Sequence, residues 1–229
     1  MLVLGFDPSL TAFGWAVHDT EATGVDRCPA RGRFQTSAKT LFVSRYVEMR
    51  ENVLTLLAQH PDITRLGCES PVFKELWSEG MYGLFLYTCE AMHQAKRDVV
   101  FFSPPQMKVH ARALLDRPQV AGKAWIMGKP DMVEAAQMDT GGGGRWNHNE
   151  ADAYWVARTA ARFWSHLDGV TGLEDLTTHE QKQFTEVQTI KQGKRAGQTI
   201  ERGILYREDE RFFRWSQAVE DEDDGQQEI

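Results

Sequence analysis

Between Leu2 and Trp164, short apolar runs and helix-period segments follow one another in an order that admits few folds. The runs at 2–6, Gly14–His18 and 32–36 come first, separated only by turns, and read as a meander of three strands. Leu41 to His60 then carries Tyr46, Met49, Val53, Leu56 and Leu57 among other apolar residues at mostly helical spacing. A strand at Ile63–Cys68, a helix over 81–96 and a strand at 99–102 alternate after it. Helices over 105–115, 130–138 and 150–164 close the series, the last of them Ala-rich. Such an order predicts an α/β fold around a mixed five-stranded sheet flanked by helices, antiparallel at first and then built through parallel crossovers.

From about Val170 the composition shifts. Residues 176–180 offer a helix start, and Gly203–Tyr206 with Arg211–Trp215 reads as a hairpin around Glu208-Asp209-Glu210. The chain therefore divides into a domain over 1–168, a C-terminal extension over 169–217 and an acidic tail over 218–229 expected to be disordered. That tail bears on the charge argument. The net charge of −7 looks unfavourable for a nucleic-acid partner, yet six carboxylates lie in the last ten residues, and without them the body is close to neutral. Three widely spaced cysteines, Cys28, Cys68 and Cys89, argue against a disulfide framework or a zinc finger. No apolar stretch approaches the roughly 20 residues of a membrane span, so a cytoplasmic protein is the expectation.

Three acids stand out by position. Asp7 ends the first apolar strand, within Asp7-Pro8-Ser9. Glu69 ends the fourth, within Cys68-Glu69-Ser70. Asp152 lies in the first turns of the Ala-rich helix, within Asn149-Glu150-Ala151-Asp152-Ala153. Each alone has an ordinary structural reading as a turn former or as a complement to the helix dipole. Together, two strand-end carboxylates and a third on a helix packed beside them form an all-oxygen donor set for hard cations. Two Mg2+ ions about 3.5 to 4 Å apart can activate a water and stabilise a departing 3′-oxygen in phosphodiester hydrolysis.

Over residues 1–165 these motifs resemble the RuvC family of Holliday junction resolvases. Gly5-Phe6-Asp7-Pro8-Ser9 followed by Gly14-Trp15-Ala16-Val17 is similar to the family's first motif. Cys68-Glu69 with Phe73 is similar to the second, a strand-end Glu before an aromatic loop, and Asn149-Glu150-Ala151-Asp152-Ala153 to the closing one. The resemblance implies an RNase H-like fold, a homodimer, Mg2+ or Mn2+ with two ions per site, and paired nicks across a four-way DNA junction. The C-terminal extension suggests a divergent, phage-encoded member.

One departure stands in the third motif. The family carries Asp or His three residues before the last Asp, where this chain has Asn149. Both Asn149 and His148 share a helix face with Asp152, and both are candidate metal ligands, His148 slightly ahead. Asn149 has the alternative role of helix N-cap, and Glu150 reads as exposed or dipole-complementing. Lys108 and Lys129 match basic positions that the family places near the scissile phosphate. Phe73 and Trp77 are candidates for stacking on an unpaired base at the junction centre. Lys191-Gln192-Gly193-Lys194-Arg195 reads as a solvated basic loop and Gly141–Gly144 as a mobile linker. Three rivals stay open: a RuvC-like nuclease for flaps or forks, a catalytically silent DNA-binding module, and an actin-like ATPase or kinase, which needs a second phosphate loop and about twice the length.

Overall fold

In the computed structural model, residues 1–70, 79–115, 126–142 and 144–185 are described, with the backbone of five short strands between 187 and 219. The sheet has the order β3-β2-β1-β4-β5, formed by β1 (Leu2–Asp7), β2 (Ala12–Asp19), β3 (Arg31–Gln35), β4 (Arg65–Glu69) and β5 (Asp98–Phe102). The first three pair antiparallel, and β1-β4-β5 pair parallel. The expected meander followed by crossovers is thus the observed topology. Between β3 and β4 runs α1 (Phe42–Gln59), and between β4 and β5 runs α2 (Glu79–Gln94). Next come α3 (Pro104–Leu115), α4 (Lys129–Asp139), α5 (His148–Leu167) and α6 (Thr178–Thr185).

Side chains alternate across a sheet, so each face has its own covering. On one face α5 lies directly over Gly5 of β1 and Gly67 of β4. A Cβ at Gly5 would fall 2.2 Å from the Ala153 carbonyl oxygen, and one at Gly67 would fall 2.7 Å from the Ala160 Cβ. Leu4, Phe6, Leu66 and Cys68 point the other way and share a core with Tyr46, Met49 and Val53 of α1 and Leu84 of α2. Gly83 lets those two helices meet, since a Cβ there would collide with the Tyr46 ring at 2.6 Å. α3 and α4 pack beside α5 around Tyr154, Trp155, Met132 and Ala135.

The start of the extension is tied to the core. Phe184 of α6 packs on Phe102 and Phe163, and Glu180 forms an ion pair with Arg162 of α5 at 2.8 Å. Farther on, β6 (Val187–Thr189), β7 (Thr199–Glu201) and β10 (Ala218–Val219) form a small antiparallel sheet. The expected hairpin is present as β8 (Leu205–Glu208) and β9 (Phe212–Trp215), close to β5. Phe73, Trp77 and the Lys191–Arg195 cluster lie outside the described residues. Among those described, no helix is long and apolar enough to cross a membrane.

Candidate active site

Asp7 and Glu69 end neighbouring parallel strands in matching register, because Phe6 pairs with Cys68 one residue earlier. They therefore project side by side onto the face that α5 covers, one strand spacing of about 4.8 Å apart at the backbone. The chain after each is anchored. The Ser70 N–H donates to the Phe102 carbonyl at 2.8 Å, carrying the pairing past Glu69. Arg45, 5% exposed, donates to the Leu10 carbonyl at 2.6 Å and to the Thr36 hydroxyl at 2.9 Å, fixing the turn that follows Asp7.

Asp152 arrives by a different route. α5 starts over Gly14 of β2, where a Cβ would sit 2.1 Å from the Asn149 carbonyl oxygen, and continues over Gly5. Gly14, Gly5 and Gly67 thus form a bed that lets α5 sink onto the sheet, its first turns over Gly14 and Gly5 beside Asp7. The cap of this helix is Asn147, whose Oδ1 accepts the Asn149 N–H at 2.8 Å, while the Asn147 N–H donates to Glu150 at 3.4 Å. Asn149 is therefore inside the helix instead of capping it, and Glu150 is a capping-box residue that also lies 3.4 Å from Arg31.

The result is a cleft of about 280 Å3 lined by Asp7, Glu69, Asp152, Asn149, Lys108 and Lys129, with Ser9 and the apolar Met81, Met107 and Met132 around them. Of the two candidates beside Asp152, Asn149 is in this lining and His148 is not. His148 is half-buried next to Lys129 and Arg33, and burial with those charges holds its pKa below the usual value.

The electrostatics follow from crowding. Burial, then the charge of Asp152, pushes the Asp7 carboxyl up to about 8, against the pull of Lys129. Burial, then Asp7 and Asp152, holds Glu69 well above the ordinary carboxylate range, with Lys108 opposing. Asp152 is raised by burial to about 6, with Lys108 and Lys129 pulling it down. Among the described residues no side chain or N–H donates a hydrogen bond to any of the three. Nor are any three acidic, His or Cys side chains among them close enough to enclose a single ion. The carboxylates form an open wall, and an all-oxygen wall of crowded carboxylates fits hard divalent cations that keep waters and substrate oxygens as further ligands.

No family model matches the chain, and no curated protein matches it by sequence. Solved structures do. Thermus thermophilus RuvC superposes with a TM-score of 0.56 at 21% identity, over 74% of this chain and 97% of that one. The same protein in complex with a Holliday junction substrate gives 0.56 at 20% identity, over 72% and 96%. The chain has the RuvC fold. The yeast mitochondrial Holliday junction resolvase Ydc2 aligns over 73% of this chain and 80% of its own, with a TM-score of 0.47 at 12% identity.

The three glycines of the bed were not expected as part of the site, although Gly5 and Gly14 fall within the first RuvC-like motif. An isolated Gly in an apolar strand signals a close backbone approach, and that was the available sign.

Proposed function

We propose that this chain is a metal-dependent, structure-specific endodeoxyribonuclease that resolves four-way DNA junctions by paired nicks. The observation that carries this reading is the convergence of Asp7, Glu69 and Asp152 on one cleft that also holds Lys108 and Lys129. An ATPase or kinase would need a glycine-rich phosphate loop, and among the described residues no glycine lines this cleft. The RuvC fold, and the Holliday junction substrate bound by Thermus thermophilus RuvC, favour a branched DNA.

In this proposal Asp7, Glu69, Asp152 and the Asn149 side-chain oxygen hold Mg2+ or Mn2+, two ions per site. When bound, the ions supply an activated water and neutralise charge on the leaving 3′-oxygen. The remaining work belongs to the side chains. Lys108 and Lys129 share the cleft with the carboxylates, the half-buried Lys108 acting on the scissile phosphate and the exposed Lys129 holding the incoming DNA backbone. The buried, anchored strand ends keep the carboxylates in place as the substrate enters. Phe73 and Trp77 are proposed to stack on an unpaired base at the junction centre.

Paired nicks require two sites, and an exposed apolar surface supports a homodimer. Val43 and Val47 lie one turn apart on α1, as do Tyr82 and Leu86 on α2 packed beside it, and each is more than 40% exposed. A second copy of the chain is the proposed partner for that face.

The test is cleavage of a synthetic four-way junction, a flap and a linear duplex with Mg2+, with Mn2+ or with chelator. Symmetric, metal-dependent nicks in the junction alone are expected. Preferred cutting of the flap would replace the resolvase reading with that of a general branched-DNA nuclease, and cutting with chelator would overturn the metal mechanism.

A further inference from the structure

A second polar pocket, of about 220 Å3, lies farther along α5. His18 and Thr20 line it from the end of β2, Arg27 from the turn that follows, and Arg158, Arg162 and Ser165 from α5. The three α5 residues are spaced to share one helix face. At 1.5 Å per residue they lie about 9 to 20 Å along the axis from Asp152, well separated from the carboxylate cleft.

The pocket is built around a buried carboxylate that is already fully used. Asp139, whose side chain is 4% exposed, accepts from Arg27 Nη1 at 2.8 Å and from the Tyr154 hydroxyl at 2.6 Å, and forms an ion pair with Arg158 Nε at 2.7 Å. Glu180 takes Arg162. Among the described residues the charged groups that line the pocket itself are all guanidinium groups, and the carboxylates that pair with them, Asp139 and Glu180, are outside its lining. Arg27 Nη2, both Arg158 Nη atoms and Arg162 Nη1 have no hydrogen-bond partner among the described residues, although Arg158 also lies over the Trp155 ring.

His18 is the independent sign of a ligand. It is 6% exposed, lines the pocket, and its Nδ1 has no hydrogen-bond partner among the described residues. Burial, then the charge of Arg158, holds its pKa near 4, so the ring is neutral at pH 7. A buried ring nitrogen without a partner is costly in a folded protein and marks a place where another group completes the bonding.

We propose that this pocket binds a phosphate group. Guanidinium forks held by a buried acid, with two hydroxyls and a neutral imidazole, match an anion with several oxygens, and a lining without a carboxylate does not suit a metal ion. The group comes either from the backbone of bound DNA or from a free phosphate compound. The proposal stands apart from the nuclease reading, because none of its residues lines the carboxylate cleft.

The experiment follows the assigned His18 ring signals of the full chain by NMR during titration with inorganic phosphate, against sodium chloride of equal ionic strength. In parallel, the salt dependence of four-way junction binding is measured with chelator, so that no cleavage occurs. Ser165→Glu places a carboxylate in the pocket and Ser165→Gln is its neutral control; Ser165→Asp replaces the first if it fails to fold. A saturable phosphate-specific shift in the wild type, lost in Ser165→Glu and kept in Ser165→Gln, is expected. If the DNA backbone is the source, Ser165→Glu also lowers the slope of log K against log salt by about one. An unchanged slope with a saturable shift identifies a free phosphate compound. Absence of both responses overturns the proposal, and loss of nuclease activity has no bearing on it.

Discussion

Gly5 and Ala153 are in backbone contact: a Cβ on Gly5 would lie 2.2 Å from the Ala153 carbonyl oxygen and 2.4 Å from the Ala157 nitrogen. Both atoms belong to the backbone of α5, so no rotamer change can make room. The seat of α5 on the sheet, and with it the position of Asp152 beside Asp7, depends on a missing side chain. Gly5→Ala is expected to lift the helix, destabilising the fold by about 1 to 3 kcal/mol as overpacking does. Misplacing a reacting group by about 1 Å costs on the order of 10²-fold in rate, so cleavage should fall far more than the melting temperature suggests. Denaturant melts and single-turnover cleavage on the same preparation check this, and unchanged cleavage would refute it.

Asp7→Asn separates the chemistry from the binding. It removes a carboxylate from the wall while keeping the shape of the strand end. Cleavage should be lost, whereas affinity for the junction should change little, because phosphate contacts carry most of it. The Mg2+-induced rise in melting temperature should also shrink. Retained cleavage would remove Asp7 from the site.

Much of the placement of the candidate residues is legible in the sequence. The ends of two apolar runs located Asp7 and Glu69, and parallel pairing brought them level. The order of elements predicted the sheet, with strand and helix ends within a few residues of those observed. Long-range relationships were not legible. Gly67 and Ala160 meet across more than ninety residues of chain, and nothing local distinguishes such a glycine from a weak point in a strand. The choice between His148 and Asn149 was equally hidden, since both spacings to Asp152 fit one helix face. The capping residue Asn147 sets where the helix starts, and the seat of α5 over Gly14 turns Asn149 into the cleft. The Arg27–Asp139–Arg158 knot joins three segments, and no spacing rule announces it.

The raised carboxyl groups give the metal-free protein a definite pH dependence. Asp7 and Asp152 keep protons in the folded state, to about 8 and about 6, where an unfolded chain would already have lost them. The folded state thus binds more protons, and its stability falls as pH rises through these two values. In the proposed mechanism cations bind the deprotonated wall and release those protons, so stabilisation by Mg2+ should grow over the same range. Thermal melts from pH 5.5 to 8.5, with chelator and with Mg2+, should diverge as pH increases. A metal effect that is constant or shrinking with pH would contradict the assignment.

Asn149 and His148 are separable by substitution. Asn149→Ala removes a cleft oxygen and should weaken metal affinity about tenfold or more, judged by what loss of a supporting group costs elsewhere. Asn149→Asp supplies the acid expected from the RuvC resemblance and should bind Mg2+ at least as tightly as the parent. His148→Ala should leave both metal affinity and cleavage within a small factor, since His148 is outside the cleft lining. Calorimetric Mg2+ titration of the three variants checks the ranking, and a larger loss in His148→Ala would reverse the assignment.

Lys108 and Lys129 share the cleft but differ in depth, and their roles should differ accordingly. Lys108 projects from α3, is half-buried, and lowers the pKa of Glu69 and Asp152, whereas Lys129 is exposed at the start of α4 and lowers those of Asp7 and Asp152. A cation held close to the reacting phosphate acts on charge that develops during the reaction, and removing such a group costs about 10²-fold in rate. Lys108→Ala should therefore lower kcat by roughly that factor with little change in junction affinity. It should also push the Glu69 and Asp152 carboxyls farther up, moving the alkaline rise of the pH–rate profile to higher pH. Lys129→Ala should act mainly on binding, lowering the salt slope by about one while kcat falls less. Single-turnover rates and salt-dependent binding on both variants decide the matter, and equal kcat losses would mean that the two lysines hold the phosphate together.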